Sequence, residues 1–184
     1  MPTNALRVAL TAEQIMEANR RAEFFVNRVQ GSASMWKHNR GGAPREREAM
    51  LANDVLGQLG QCVIACVFDL PWQHEVNGFK LPDVGPLWVR STNLVNGSLI
   101  LRTHDTADDD PWVLAYVAPD YSYGLACGWI LGREAKRPLY WRSDVRSPAW
   151  FVPRGSLRAF TDPMFTKWVR WPAPTQTALF TESS

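Results

Sequence analysis

Hydrophobic positions along the chain change period near residue 70, dividing it into a helical first third and a strand-rich remainder. Thr11-Ala-Glu-Gln14 forms a capping box, in which the Thr11 hydroxyl accepts from the first turn and the Gln14 side chain reaches back. The helix it opens carries Ile15, Ala18, Ala22, Phe25, Val26 and Val29 on one stripe and is expected to end near Gly31. The polar, glycine-containing segment 31–44 reads as a loop. A second helix is expected from Pro44 or Arg45 to about Phe68. Leu51, Val55, Leu59, Cys62, Val63, Cys66 and Val67 form its apolar face, with Asp54, Gln58 and Gln61 as a polar stripe beside them.

Beyond Leu70-Pro71 the pattern turns to that of strands. Leu87-Trp-Val-Arg-Ser-Thr92 reads as one, and Asn96-Gly97 supplies a hairpin turn into a second at 98–102. The acidic turn Asp108-Asp-Asp-Pro111 leads into a strand at 112–117, and another follows at 125–131. Residues 132–137 read as a short helical turn stopped by Pro138, and 149–153 as a last short strand before proline-rich coil. Two helices followed by strands imply an α+β fold: one curved, mostly antiparallel sheet with two N-terminal helices packed on it. Residues 1–171 are expected to form a single domain, and 172–184 a flexible C-terminal tail.

Composition adds little to this outline. The 184 residues are 46% hydrophobic and 21% charged, as in ordinary globular chains. The net charge of +2 does not by itself mark a nucleic-acid binder, so any basic surface must come from uneven placement. Cys62 and Cys66, one helical turn apart in an apolar run, read as small core residues, and with Cys127 they make no CxxC spacing. His38, His74 and His104 lack metal-ligand spacing. No uninterrupted apolar stretch approaches the roughly 20 residues needed to span a bilayer, and no leader pattern is seen, so a cytoplasmic protein is expected.

Several short motifs in fixed order carry more. Gly57-Gln-Leu-Gly-Gln61 lies within the second helix, followed by Leu81-Pro-Asp-Val-Gly85 and Leu87-Trp-Val-Arg-Ser-Thr92. Then come Leu99-Ile-Leu-Arg102, Trp112-Val-Leu114, Gly128-Trp-Ile130, Ala135-Lys136 and Trp150-Phe-Val-Pro153. From about Leu51 to Leu157 this series resembles small phage-encoded and prophage-encoded proteins of the PD-(D/E)XK nuclease superfamily. The resemblance implies a nuclease-like core, Mg²⁺-dependent phosphodiester hydrolysis where activity is retained, DNA as substrate or partner, and a host-cytoplasmic location.

In that superfamily a helix Glu, an Asp and a second acid bracket the metal, and a Lys two residues after that acid orients the water. Hard Mg²⁺ calls for such oxygen ligands, and residues i and i+2 of a strand share a face. The resemblance places the helix acid at Gln61, the Asp at Asp83, the second acid at Trp88 and the Lys at Arg90. Gln61 keeps an oxygen without the charge, Trp88 cannot ligate, and Arg90 keeps a positive charge but cannot act as a base. Only Asp83 and the Val89 carbonyl then remain as metal ligands. Read without the resemblance, Asp83 caps a turn after Pro82, and Arg90 pairs with Asp83 or contacts phosphate. A carboxylate delivered from elsewhere, such as Glu48 or Asp54, would restore the metal site. Asp105, Asp108, Asp109 and Asp110 lack calcium-loop spacing and read as a solvated hairpin loop.

The stretch 133–170 interleaves cations with tryptophans, as suits phosphates and stacked bases. Arg133, Lys136, Arg137, Arg142 and Arg154 are its candidate DNA contacts, with Arg146, Arg158, Lys167 and Arg170 beside them. Trp141, Trp150, Trp168 and Trp171 lie among these charges, although Trp150 and Trp168 also read as core residues. Two classes of function follow: a nuclease-like protein acting on or binding DNA with weak or lost hydrolysis, and a non-catalytic protein that keeps the fold to hold a protein partner. Sheet edges also allow a homodimer. No phosphate loop, nucleophile elbow or HExxH supports a small-molecule enzyme.

Overall fold

The computed structural model describes residues 5–30, 47–72 and 81–169. The loop at 31–44, the start of the second helix at Pro44 or Arg45, His38, His74, Arg170, Trp171 and the 172–184 tail lie outside the described residues.

The elements run β1 (Leu6–Ala9), α1 (Ala12–Gln30), α2 (Arg47–Phe68), β2 (Trp88–Thr92), β3 (Leu99–Leu101), β4 (Pro111–Val117), β5 (Tyr123–Leu131), α3 (Gly132–Ala135), β6 (Trp141–Arg142) and β7 (Ala149–Val152). The capping box forms as read: Gln14 N–H donates to the Thr11 hydroxyl at 3.2 Å and Thr11 N–H to Gln14 Oε1 at 2.9 Å. Ala18, Ala22 and Val26 of the expected stripe are fully buried.

The fold is mixed α and β, but the described residues form two sheets rather than one. A four-stranded sheet has the order β1-β5-β4-β2, and a three-stranded sheet the order β3-β7-β6. All pairings are antiparallel except β2 with β4. The expected hairpin between 87–92 and 98–102 does not form. Gly97 N–H closes a turn on the Leu94 carbonyl, but β2 pairs with β4 while β3 pairs with β7. The physical cause lies in β4 and β5. Every residue of β4 is buried, and all of β5 after Tyr123. A strand buried on both faces needs a layer on each side. The helices supply one layer, and β3 leaves its sequence neighbour to help build the other.

Two cores follow. Ile64 and Phe68 of α2 pack with Val89, Val113, Ala115 and Trp129 on one face of the larger sheet, joined by Phe160 and Phe165. Trp112, Leu114, Ile130 and Cys127 on the other face meet Leu99, Leu101 and Val152. A third cluster joins Ala18 and Ala22 of α1 to Leu59, Cys62 and Val63 of α2 and to Val117. By length and composition α2 is apolar enough to cross a bilayer, contrary to the reading from uninterrupted runs, which its glutamines break up. Its buried face is accounted for by these cores.

Gly60 sets how closely α2 approaches the sheet. A Cβ there would stand 1.8 Å from Ser91 Oγ and 2.7 Å from Ser91 Cβ on β2. Gly57, one turn earlier, faces open space. Gly128 (φ +145°) follows the register shift at Leu114/Ala115, and its Cβ would meet the Arg158 carbonyl at 2.8 Å.

Candidate functional site

The approach enforced by Gly60 brings the next residue of α2, Gln61, to the mouth of β2. Val84 and Leu87 close a tight turn just before that strand, and Asp83 N–H donates to the Leu87 carbonyl at 2.9 Å. The turn throws the Asp83 carboxylate back against the strand. Its Oδ2 accepts from Val89 N–H at 2.8 Å, and its Oδ1 accepts from Gln61 Nε2 at 3.0 Å. Asp83 is thus a turn-closing residue as well as the partner of the helix glutamine.

Arg90 projects from the opposite face of β2, the one that carries Trp88 and meets Trp112, and pairs there. Its Nη2 donates to Asp105 Oδ1 at 2.8 Å, its Nε to the Ile100 carbonyl at 3.2 Å, and its Nη1 to the Val89 carbonyl at 3.3 Å. The guanidinium carbon lies 4.6 Å from the centre of the Trp112 ring. The ring of Trp88, two residues back on the same strand face, stacks on Trp112 at 5.2 Å and donates Nε1–H to Asp110. Trp88 therefore fills with an aromatic plate the place where the resemblance puts an acid.

Neither Glu48 nor Asp54 supplies a second carboxylate, and the one that acts on this cluster, Asp105, is paired with Arg90. Glu48 is exposed in the first turn of α2, and Asp54 lies about 10 Å along the helix axis from Gln61. Asp105 is buried, and besides Arg90 it accepts the Arg102 N–H at 2.6 Å. The rest of its loop is solvated as expected, with Asp108 and Asp109 exposed, and only Asp105 turns inward. Lys136 holds Asp108 and the Asp105 carbonyl, and Arg133 holds Asp109. The spacing of these aspartates gave no sign of this, because their partners come from α3.

Burial pushes the Asp83 carboxyl above its ordinary range. The Val89 N–H, the Arg90 charge and the Gln61 amide pull it back down, while Asp105 adds to the upward push. Arg90 and Asp105 thus act on Asp83 through their charges, while among the described residues only Gln61 and the Val89 N–H bond to its carboxylate.

The donor set does not suit Mg²⁺. Both Asp83 oxygens and both Asp105 oxygens accept hydrogen bonds from N–H groups, and the Val89 carbonyl accepts from Arg90. A hard divalent ion calls for several ionised oxygens, whereas the positions of the helix and strand acids hold a neutral amide and an indole, and Asp105 is paired with the Arg90 cation. Among the described residues no three His, Cys, Asp or Glu side chains are grouped as a metal site.

The candidate DNA contacts are divided. Arg133 pairs with Asp109, Lys136 with Asp108, and Arg142 with Asp144 at 2.6 Å. Arg158 pairs with Glu134 at 2.6 Å. Arg154 Nε and Nη2 are buried without partners among the described residues, near the Tyr116 ring. Arg137 and Arg146 are exposed and have no ion pair among the described residues. Trp141 is 37% exposed and lies 4.7 Å from Trp150, which is half-buried, as is Trp168.

Fold and site together define a mixed α/β domain with a part-buried polar cluster of carboxylates, an amide and a guanidinium at the edge strand β2. Comparison of the chain with family models, with curated proteins and with solved structures gives no match.

Proposed function

We propose that the chain carries a PD-(D/E)XK-like core that has lost metal-dependent hydrolysis and works by binding, with DNA as its partner. One observation supports the reading: Gln61 of α2 bonds to Asp83 at the turn that opens β2, yet position 61 carries a neutral amide and the next carboxylate, Asp105, is paired with Arg90. The Gln61–Asp83 bond ties α2 to the turn before β2, and one carboxylate beside a neutral amide is a poor holder for a cation that would polarise a water. Binding would fall to the exposed cations Arg137 and Arg146 around Trp141, with Arg133 and Arg142 exchanging surface carboxylates for phosphates at little cost.

The test is a pair of measurements on the intact protein. No cleavage of duplex or single-stranded DNA is expected with Mg²⁺ or Mn²⁺, and a salt-dependent shift of labelled DNA is expected at low salt. Cleavage that disappears in Asp83→Ala would overturn the loss of hydrolysis.

A second reading, a protein partner, is favoured by the pairing of Arg133, Lys136, Arg142 and Arg158 with carboxylates, which weakens the local positive field. Absence of DNA affinity at low salt, together with a stable complex with another protein, would select it.

A further inference from the structure

Cys62 and Cys66 lie one turn apart on α2 but in unlike surroundings. Cys62 is buried among Ala18, Ala22 and Leu59, as a small core residue should be. Cys66 is exposed, contrary to the expectation that both fill the core, because the helix turns its position towards the rim of the α1–α2 contact. The two sulfurs are 4.0 Å apart. Gln14 Nε2 points at Cys66 Sγ from α1 at 3.2 Å. The orientation of that amide is set by the capping box: Oε1 accepts the Thr11 N–H, which turns the NH₂ group towards the sulfur.

Cys66 sulfur therefore accepts from the Gln14 amide, lies beside the Cys62 thiol, which is the donor of the pair once Cys66 ionises, and is open to solvent. Donors directed at a sulfur favour its thiolate, the nucleophilic form. The Cys62 thiol brings the Cys66 pKa down to about 7, with Gln14 assisting against partial burial. Cys62 is pushed up, first by its bond to Cys66 and then by burial, and so keeps its proton. Arg21 of α1 acts on Cys62 in the opposite sense, its guanidinium held by Glu17 and the Trp72 carbonyl. Cys127 is buried between the sheets, and burial pushes its thiol up.

We propose that Cys66 is a modification site: an exposed nucleophilic thiolate, held by the Cys62 thiol and the Gln14 amide, that takes hydroperoxides and soft carbon electrophiles. With a hydroperoxide, the sulfur attacks the terminal oxygen, so an S–O bond forms as the O–O bond breaks. Sulfur loses two electrons and becomes a sulfenic acid, and the departing alkoxide takes a proton from water to leave as the alcohol. With iodoacetamide an S–C bond forms and iodide leaves.

The experiment is site-resolved alkylation of the native protein by limiting iodoacetamide between pH 5 and 9, read by peptide mass spectrometry, beside the same protein in denaturant. Cys66 is expected to label alone in the native state, with a midpoint near pH 7, and in the denatured state near the ordinary thiol value of about 8.5. Cys62→Ala raises the native midpoint and Cys62→Ser, which keeps a donor, holds it down. Gln14→Leu raises it without touching the core. Hydrogen peroxide followed by dimedone should place the adduct on Cys66. A native midpoint equal to the denatured one, or labelling of Cys62 as fast as Cys66, overturns the proposal.

Discussion

Gln61 donates its side-chain amide to Asp83 across 3.0 Å, joining the middle of α2 to the turn that opens β2. An acid at position 61 would face Asp83 at the same distance. Two carboxylates so placed cannot both ionise without a cation between them. Gln61→Glu should therefore lower the melting temperature at pH 7 to 8 and recover part of the loss in acid. If the cluster descends from a metal site, millimolar Mg²⁺ or Mn²⁺ should stabilise Gln61→Glu and leave the native protein unchanged. Melting curves with and without the ion decide it, and an equal response of both proteins would remove the argument for metal ancestry.

Asp83 gives a pH signature of definite sign. Burial raises its pKa in the folded protein above the unfolded value. The folded state thus binds the proton more tightly, so this group contributes stability below the ordinary carboxylate value and loses it as pH rises through the raised one. Asp83→Asn cannot ionise. Its oxygen can still accept from Val89 N–H, and a flipped Gln61 amide can accept from the new NH₂. Relative to native, the variant should gain stability as pH rises from 4 towards neutrality. Asp83→Ala leaves Val89 N–H unpaired and should cost about 1–3 kcal/mol at pH 7. Urea titrations over that pH range check both.

The resemblance implies that Gln61, Asp83 and Arg90 share one place; Gln61 meets Asp83 at 3.0 Å, whereas Arg90 reaches Asp83 only through its charge and bonds to Asp105. The partners were not legible. Asp105 reaches Arg90 through a loop whose path depends on β3 joining β7, a long-range pairing with no local signal. The β1 strand was missed because four residues before a helix cap carry too short an alternation, and β6, two residues long, carries none. The second sheet had a signal that went unused. Trp112-Val-Leu-Ala-Tyr-Val117 is apolar on both faces, which a sheet with helices on one side only cannot bury.

Gly60 is the contact on which the cluster's geometry rests. Adding a Cβ would bring it to 1.8 Å from Ser91 Oγ and 3.3 Å from Ala115 Cβ. Rotating the hydroxyl away does not suffice, because Ser91 Cβ stands at 2.7 Å. Gly60→Ala should cost about 1–3 kcal/mol despite the gain in helix propensity. Gly60→Ala with Ser91→Gly should recover part of that, whereas Gly57→Ala, facing open space, should stabilise by up to about 1 kcal/mol. Chemical denaturation of the four proteins measures it.

Arg90 and Asp105 form the pair on which the choice between a structural and a phosphate-binding guanidinium turns. The Asp105 side chain is 8% exposed and Arg90 32%, so the carboxylate depends on its donors while the arginine keeps some water. Arg90→Met removes one of those donors and the charge opposite a buried anion. The cost should be about 2–3 kcal/mol, below that of a fully buried pair because Arg90 is partly solvated. Asp105→Asn retains an acceptor for Arg102 N–H and should cost less. In a double-mutant cycle the two changes should couple by about 1–2 kcal/mol, since they remove one shared interaction. Arg90→Lys keeps the charge but loses the three-way fork to Asp105, Ile100 and Val89, and should restore only part of the stability. If Arg90 instead serves phosphate, Arg90→Met would leave folding nearly unchanged and lower DNA affinity at low salt. Stability and DNA affinity measured on the same variants separate the two roles.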